Sequence, residues 1–182
     1  MSSNNGLRST AIEAPVHHGD GRISVNHAGK EVFLNPVRGK VICEYRIEPD
    51  MDTPGSEFTL RKLFFGWGTS GGKPWFWLIA EGEGENAGTY VRVQGTGFEP
   101  DKTYKISDKG EDVDVVFDKP GVVKWPHSVP KGLLNIRFVE KELFEFYFDM
   151  HFRNDAADNK REIKFICRQA EVRGDLPQSE VD

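Results

Sequence analysis

Residues 143–153 alternate strictly between apolar and polar side chains, and this run limits the possible folds more than any other feature. The even positions from 144 to 152 carry Phe, Phe, Phe, Met and Phe, while the odd positions between them carry Glu, Tyr, Asp and His. Side chains of a β-strand point to opposite faces with a period of two, so this segment has one apolar and one polar face. The run therefore predicts a half-buried strand of an antiparallel sheet.

A second alternating segment, residues 161–168, is expected to pair with the first. Apolar residues must face apolar ones, and a slip by a single residue would turn the whole apolar set to solvent. The register that satisfies this condition places Phe148 opposite Cys167. It also places Arg153 opposite Glu162, which is a favourable cross-strand charge pair.

Several other short segments predict strands that are separated by Gly and Pro turn signals. They are residues 22–25, 31–34, 41–47, 58–67, 74–81, 89–94, 112–117, 121–125 and 134–138. No segment of about 11 residues or more shows a convincing helical period. The pattern predicts an all-β protein, an antiparallel β-sandwich of the jelly-roll or immunoglobulin-like two-sheet kind, with a closed barrel as the second architecture.

The domain organisation follows from the polar composition of both chain ends. The 182 residues suit one domain. We expect a flexible N-terminal tail at 1–20, a single domain at 21–170 and a flexible acidic tail at 171–182. The first residues lack the charged and apolar pattern of a secretory signal, so a cytoplasmic location is expected, with leaderless export as the alternative.

Charge and hydropathy narrow the classes of partner. The formal net charge of −5 opposes broad binding to the phosphates of nucleic acid, which needs a basic surface. No apolar run approaches the roughly 18–20 residues of a membrane-spanning helix. No motif implies a cofactor. A carbohydrate or a protein remains as the expected partner, and the chain could form a homo-oligomer.

The segment 58–80 departs from simple alternation because it carries bulky apolar groups on both faces. Phe64 and Phe65 are adjacent, and the run from Trp75 to Leu78 is apolar throughout. A two-sheet core can bury only one face of a hairpin. The other face must be covered by a loop, a terminal segment, a partner chain or a ligand.

This second face is the first candidate site. Trp67, Trp75 and Trp77 could stack on sugar rings, because an indole offers a flat apolar face with a polar edge. Glu83 and Asn86, in the loop that follows, could hydrogen-bond sugar hydroxyls. The leading hypothesis is a non-catalytic, lectin-like binding protein. The alternatives for the same face are a protein-interaction or assembly surface, or a cover of the protein's own loops.

A second alternative is a hydrolase that uses Asp149 and His151. These residues share the polar face of the 143–153 strand, where a carboxylate can orient an imidazole for acid–base chemistry. No nucleophile motif accompanies them. The polar outer face of an exposed strand explains the same residues without any chemistry.

Acidic side chains in two segments are weak candidates for a calcium site. They are Asp112, Asp114, Asp155 and Asp158. Their spacing does not match the EF-hand loop, in which a Gly at the sixth and a Glu at the twelfth position are required. No metal is therefore expected.

The two cysteines, Cys43 and Cys167, both fall on apolar positions of alternating segments. Two free buried thiols are the preferred interpretation, because a free cysteine packs as a small apolar residue. A disulfide that links an early strand to the last one is the alternative.

Overall fold

The computed structural model describes residues 15–97, 99–107, 113–124, 127–154 and 160–179. Within these ranges the chain forms twelve β-strands and a single turn of 3₁₀ helix at Gly84–Asn86. The strands are β1 (Val16–His17), β2 (Ile23–His27), β3 (Lys30–Ile47), β4 (Ser56–Leu60), β5 (Lys62–Ser70), β6 (Lys73–Glu81), β7 (Tyr90–Gly95), β8 (Thr103–Ile106), β9 (Asp114–Asp118), β10 (Lys131–Val139), β11 (Leu143–Arg153) and β12 (Glu162–Arg173). The predicted all-β class is confirmed. In the described part of the chain, no helix is long and apolar enough to cross a membrane.

Nine of these strands form one antiparallel sheet in the order β8, β10, β11, β12, β3, β5, β6, β7 and β9. The two edges of the sheet meet where Ile106, at the end of β8, bridges Val113, just before β9. The Ser107 amide donates to the Val113 carbonyl at 2.9 Å, and the Val113 amide donates to the Lys105 carbonyl at 2.9 Å. The sheet is nearly closed into a barrel, which is the second of the two architectures expected from the sequence.

The pairing of β11 with β12 follows the predicted register. Phe148 lies opposite Cys167, and Arg153 lies opposite Glu162. Next to Phe148 a bulge shifts the register by one residue. Bulges bend a strand and increase its twist, which the closure of a sheet into a barrel requires.

The barrel interior is a packed core rich in phenylalanine. The Phe117 and Phe165 rings stack with centroids 4.0 Å apart, and the Phe76 and Phe144 rings meet edge to face at 5.0 Å. The inward residues of β11 are all at most 2% exposed: Phe144, Phe146, Phe148, Met150 and Phe152. A filled interior leaves the ends and the outer wall of the barrel as places where a ligand can bind.

One predicted strand is wrong. Residues 121–124 form a turn in which Val123 makes only an isolated bridge to Lys119, and residue 125 lies outside the described part of the chain. The Val122 amide donates to the Lys119 carbonyl at 3.0 Å. The intervening Pro-Gly pair is a strong turn signal and outweighs the apolar side chains that suggested a strand. The short strands β1 and β8 were not predicted.

Both ends of the described chain make contacts inside the segments expected to be tails. β1 pairs with β2, and β12 continues to Arg173. Beyond it, Leu176 is buried, and its carbonyl accepts a hydrogen bond of 2.7 Å from Trp67 Nε1. The Ser179 amide donates to the Trp67 carbonyl at 2.8 Å. The described strands and contacts therefore include residues on both sides of the expected domain of 21–170, which itself stays a prediction.

Candidate functional site

The outer face of the β5–β6 hairpin is covered by the chain's own N-terminal segment. β2 and the first part of β3 pair as a hairpin, called here the N-terminal hairpin (residues 23–34), which packs against the outside of the barrel. Side chains of the two layers form a second core: Ile23, Val32, Leu34, Phe64, Trp75, Trp77 and Ile79. The sequence left four possible covers for this face: a loop, a terminal segment, a partner chain or a ligand. In the structure the cover is a segment near the N-terminal end of the described chain.

The three tryptophans of the predicted platform do not share an open surface. Trp75 and Trp77 are only 4% and 5% exposed beneath the N-terminal hairpin. Trp67 is partly buried against the barrel core instead. Stacking on a sugar or a protein needs an accessible ring face, and neither Trp75 nor Trp77 offers one in this conformation. The N-terminal hairpin therefore also covers the face of the β5–β6 hairpin that was considered as a protein-interaction or assembly surface.

Two glycines of β5 make this close packing possible. A Cβ atom at Gly66 would lie 2.6 Å from Leu34 Cδ2, and one at Gly68 would lie 2.6 Å from Trp75 Cζ2. Both contacts are shorter than carbon atoms tolerate. Gly66 therefore leaves room for Leu34 of the N-terminal hairpin, and Gly68 leaves room for the Trp75 ring beneath that hairpin.

His27 fastens the tip of the N-terminal hairpin to the barrel wall. Its ring stacks on Trp75 with centroids 4.5 Å apart, and its Nδ1 accepts a hydrogen bond of 3.0 Å from Trp77 Nε1. Gln94 Nε2 lies 3.3 Å from the same nitrogen. Burial lowers the pKa of His27, which favours the neutral ring that this acceptor role requires.

One open cavity lies where β4 approaches the loop between β6 and β7. It is a cleft of about 430 Å³. Its lining comes from four separate segments: Tyr45, Ser56, Glu57, Phe58, Thr59, Glu85, Asn86 and Lys119. We call this the β4 cleft. It includes Asn86, one of the binding residues proposed from the sequence.

The β4 cleft has an aromatic floor held from below by the core. The Phe58 ring is 7% exposed and stacks on Phe117 with centroids 5.9 Å apart. The Tyr45 ring is only partly buried and lies 6.2 Å from the Phe58 ring, at 49° to it. Because both rings are supported by the core, their position does not depend on a ligand.

The ammonium group of Lys119 lies over the Phe58 ring. Lys119 Nζ lies 4.9 Å from the centroid of the Phe58 ring, which is a cation–π distance. The same Nζ donates to Thr89 Oγ1 at 3.3 Å. The ammonium group is therefore held at the edge of the β4 cleft by two partners.

The carboxylates and the amide of the β4 cleft come from two different walls. Glu57 stands on β4 and is paired with Arg168 Nη1 at 3.3 Å. Glu85 and Asn86 belong to the 3₁₀ turn, whose backbone is closed by the Asn86 amide donating to the Glu83 carbonyl at 3.0 Å. Glu83, the other predicted loop residue, is exposed, does not line the cleft and supports the turn through this carbonyl.

Asp149 and His151 lie on the outer wall of the barrel, as the face assignment required. The side chain of Asp149 is 58% exposed, and Lys164 Nζ is 3.7 Å from its carboxylate. His151 is exposed between Lys131 and Lys164 on the neighbouring strands. Among the described contacts, no hydrogen bond joins Asp149 to His151.

The metal candidates are only partly described. Asp114 is outward-facing on β9 and accepts a hydrogen bond of 2.8 Å from Arg92 Nη2. Asp112, Asp155 and Asp158 lie outside the described residues. In the described ranges no group of three His, Cys, Asp or Glu side chains could hold a metal ion.

The sequence pointed to one lining residue of the β4 cleft and missed the others. The cleft joins the ends of β3 and β4, a turn after β6 and a lysine after β9, and no spacing along the chain links them. The alternation of residues 41–47 does place Tyr45 inward, but it carries no sign that this ring reaches the barrel end.

No protein-family model, no curated protein and no solved structure matches this chain. The geometry of the β4 cleft is therefore the basis on which a function is inferred.

Proposed function

We propose that this protein is a non-catalytic binding protein whose ligand is a small neutral carbohydrate, held in the β4 cleft. The observation that carries the proposal is the partly exposed ring of Tyr45, supported by the buried ring of Phe58, together with hydrogen-bonding groups from separate segments of the chain. Sugar rings have apolar C–H faces that pack on aromatic rings, while their hydroxyls need both donors and acceptors.

The size and openness of the β4 cleft suit such a ligand. Its volume of about 430 Å³ lies within the range of roughly 300–1,000 Å³ that is typical of small-molecule sites. Two of the lining residues are aromatic and six are polar or charged. A monosaccharide or disaccharide, which has apolar C–H faces and many hydroxyls, suits this mixed lining.

The charges of the β4 cleft favour a neutral ligand over an anion. Glu57 and Glu85 supply acceptors, Lys119 supplies donors, and Asn86 supplies both. Glu57 is already paired with Arg168, which leaves Glu85 against Lys119. The lining therefore has no excess of positive charge to attract a phosphate or a carboxylate ligand. Hydroxyl groups, in contrast, can donate to the carboxylates and accept from the lysine.

The composition of the lining supports binding without catalysis. The lining contains no histidine and no cysteine, and one of its two carboxylates, Glu57, is engaged in an ion pair with Arg168. The one hydroxyl group of a serine, Ser56, has no imidazole beside it in the lining. The residues present can orient a ligand through hydrogen bonds.

The test is a binding screen against a panel of neutral monosaccharides and disaccharides, read by saturation-transfer NMR and then by titration. For the sugar that binds, Asn86→Ala should weaken affinity about tenfold, because one hydrogen-bonding amide is lost. Glu85→Gln should weaken it by a smaller factor, because a neutral acceptor replaces a charged one.

The matched control is Glu140→Gln, an exposed glutamate outside the β4 cleft. It should leave both the affinity and the melting temperature unchanged. The proposal is wrong if no sugar of the panel binds, or if the affinity of the best one is the same in the Asn86→Ala variant as in the native chain.

A further inference from the structure

Cys43 and Cys167 lie directly opposite each other on the neighbouring strands β3 and β12. Both are free thiols, and they are 0% and 1% exposed. Directly opposed residues of antiparallel strands have Cα atoms about 4.5–5.5 Å apart, and disulfides span about 4.4–6.8 Å. The fold itself therefore brings the two cysteines, 124 positions apart in sequence, to the separation that a disulfide needs.

The pair is enclosed by aromatic rings along a single row of the sheet. Cys167 has Phe148 on its far side on β11, and Cys43 has Phe58 on its far side on β4. All four side chains belong to the barrel core. A soluble oxidant cannot approach either sulfur while this row is intact.

The surroundings also suppress the reactive form of the thiol. Burial, and then the hydrogen bond with Cys167, raise the pKa of the Cys43 thiol well above its usual value. Disulfide exchange proceeds through the thiolate, so a thiol held in its protonated form reacts slowly. Once the barrel has formed, the burial of both sulfur atoms and the raised pKa of the Cys43 thiol each slow the reaction of the pair with an oxidant.

We propose that Cys43 and Cys167 form a disulfide during folding, by exchange with an external disulfide such as oxidised glutathione, and that the closed barrel then preserves whichever oxidation state was set. One cysteine thiolate attacks the external disulfide, which yields a mixed disulfide and releases one glutathione thiol. The second cysteine thiolate attacks the mixed disulfide, which forms the Cys43–Cys167 bond and releases the second thiol. The protein gives up two electrons and two protons, and the external disulfide is reduced to two thiols.

The experiment compares two orders of treatment on the full chain. In the first, the reduced chain is unfolded and then refolded in a mixture of reduced and oxidised glutathione. In the second, the reduced chain is refolded with dithiothreitol and only afterwards transferred to the same glutathione mixture. Free thiols are then alkylated in denaturant, and the peptides are analysed by mass spectrometry.

We expect the first order to give a cross-linked peptide pair that contains Cys43 and Cys167, with a mass about 2 Da below the two reduced peptides. We expect the second order to give two alkylated cysteines over several hours. Refolding that yields two free thiols, or a separate glutathione adduct on each cysteine, would overturn the disulfide. Rapid cross-linking in the second order would overturn the sealing by the barrel.

Thermal unfolding provides an independent measurement. The oxidised form should melt about 5–10 °C above the reduced form, because the cross-link closes a long loop in the unfolded chain. The double variant Cys43→Ala/Cys167→Ala, which keeps two small apolar residues in the row, should melt at one temperature after either treatment. Identical melting of the oxidised and reduced native chain would contradict a cross-link that constrains the unfolded state.

Discussion

Glu44 shows how a single outward side chain can be held by its surroundings. Its Oε1 accepts from Arg46 Nε at 2.6 Å and from the Gly55 amide at 2.9 Å, and its Oε2 contacts Arg168. The hydrogen bond from Gly55, followed by those from the two arginines and against the opposing effect of burial, lowers the pKa of Glu44 from 4.5 to about 2. The charged carboxylate joins the β3–β12 seam to the loop before β4.

The first prediction follows from this pKa. Glu44 is charged in the folded chain down to about pH 2 and in the unfolded chain only above about pH 4.5, so its contribution to stability is complete above 4.5 and is lost as the pH falls towards 2. Glu44→Gln should lower the free energy of unfolding by about 1–2 kcal/mol at pH 7. Urea unfolding at several pH values measures this.

Because glutamine cannot titrate, the difference between the native chain and Glu44→Gln should shrink as the pH falls from 4.5 to about 2. Glu140→Gln serves as the exposed control and should follow the native curve within about 0.5 kcal/mol. A constant difference across that pH range would contradict the assignment of Glu44 as the titrating group.

The second prediction concerns His27, whose pKa is lowered from 6.5 by burial. The unfolded chain takes up the proton first as the pH falls, so His27 lowers the free energy of unfolding from about pH 6.5 downwards until its folded pKa is reached. A proton on Nδ1 of His27 would also remove the hydrogen-bond acceptor for Trp77 Nε1. The charged groups nearby are the Arg92 guanidinium, 5.4 Å from the Trp77 ring, and its ion-pair partner Asp114.

His27→Phe keeps an aromatic ring to stack on Trp75 and removes the titration. Its free energy of unfolding should fall less than that of the native chain between pH 7 and pH 5.5, and tryptophan fluorescence reports the change at Trp77. The other histidines contribute equally to the pH dependence of both chains, so the difference between the two slopes reports His27 alone. Equal slopes in the two chains would contradict the lowered pKa of His27 in the folded chain.

At the scale of elements, the sequence predicted best where one face of a strand is polar. In β11 and β12 the alternation predicts both strands and their register from Phe148 to Arg153, but not the bulge next to Phe148, beyond which the pairing is shifted by one residue. In β5 and β6 both faces are apolar, so the pattern could show that a cover exists but not which segment provides it. The covering residues, among them Ile23 and Leu34, lie in short segments that would suit many surfaces.

The third prediction tests this cover. Trp77→Ala should lower the free energy of unfolding by about 3–5 kcal/mol, because it empties a buried volume between the N-terminal hairpin and the barrel. In a chain that keeps Trp77 as its single tryptophan, the others being changed to phenylalanine, iodide should barely quench the fluorescence. Strong quenching together with an unchanged melting temperature in Trp77→Ala would show that the ring is an open surface in solution.

At the scale of the whole molecule, the hydrogen bonding between neighbouring strands of the barrel is uneven. Most of its neighbouring strands share long ladders, whereas in the described part of the chain, which leaves out 108–112, β8 and β9 meet only at the bridge between Ile106 and Val113. The sequence could not predict this seam, because it depends on the curvature accumulated over nine strands and not on any local pattern. A seam with few hydrogen bonds is where local opening requires the least free energy.

The fourth prediction places this opening by hydrogen exchange. The amides of Ser107 and Val113, which bond across the seam, should exchange at least about tenfold faster than that of Phe165 in the centre of β12. Two-dimensional NMR of the chain in heavy water measures all three. Equal protection would mean that the seam opens only when the whole barrel unfolds.

The position of β12 between β3 and β11 has a consequence for biosynthesis. β3 is synthesised more than a hundred residues before its neighbour on one side, which consists of Glu162–Arg173. Until those residues emerge, β3 presents an open edge of hydrogen-bonding groups above an incomplete core. Such edges pair readily with other chains, so β3 is open to pairing with other chains until β12 has been synthesised.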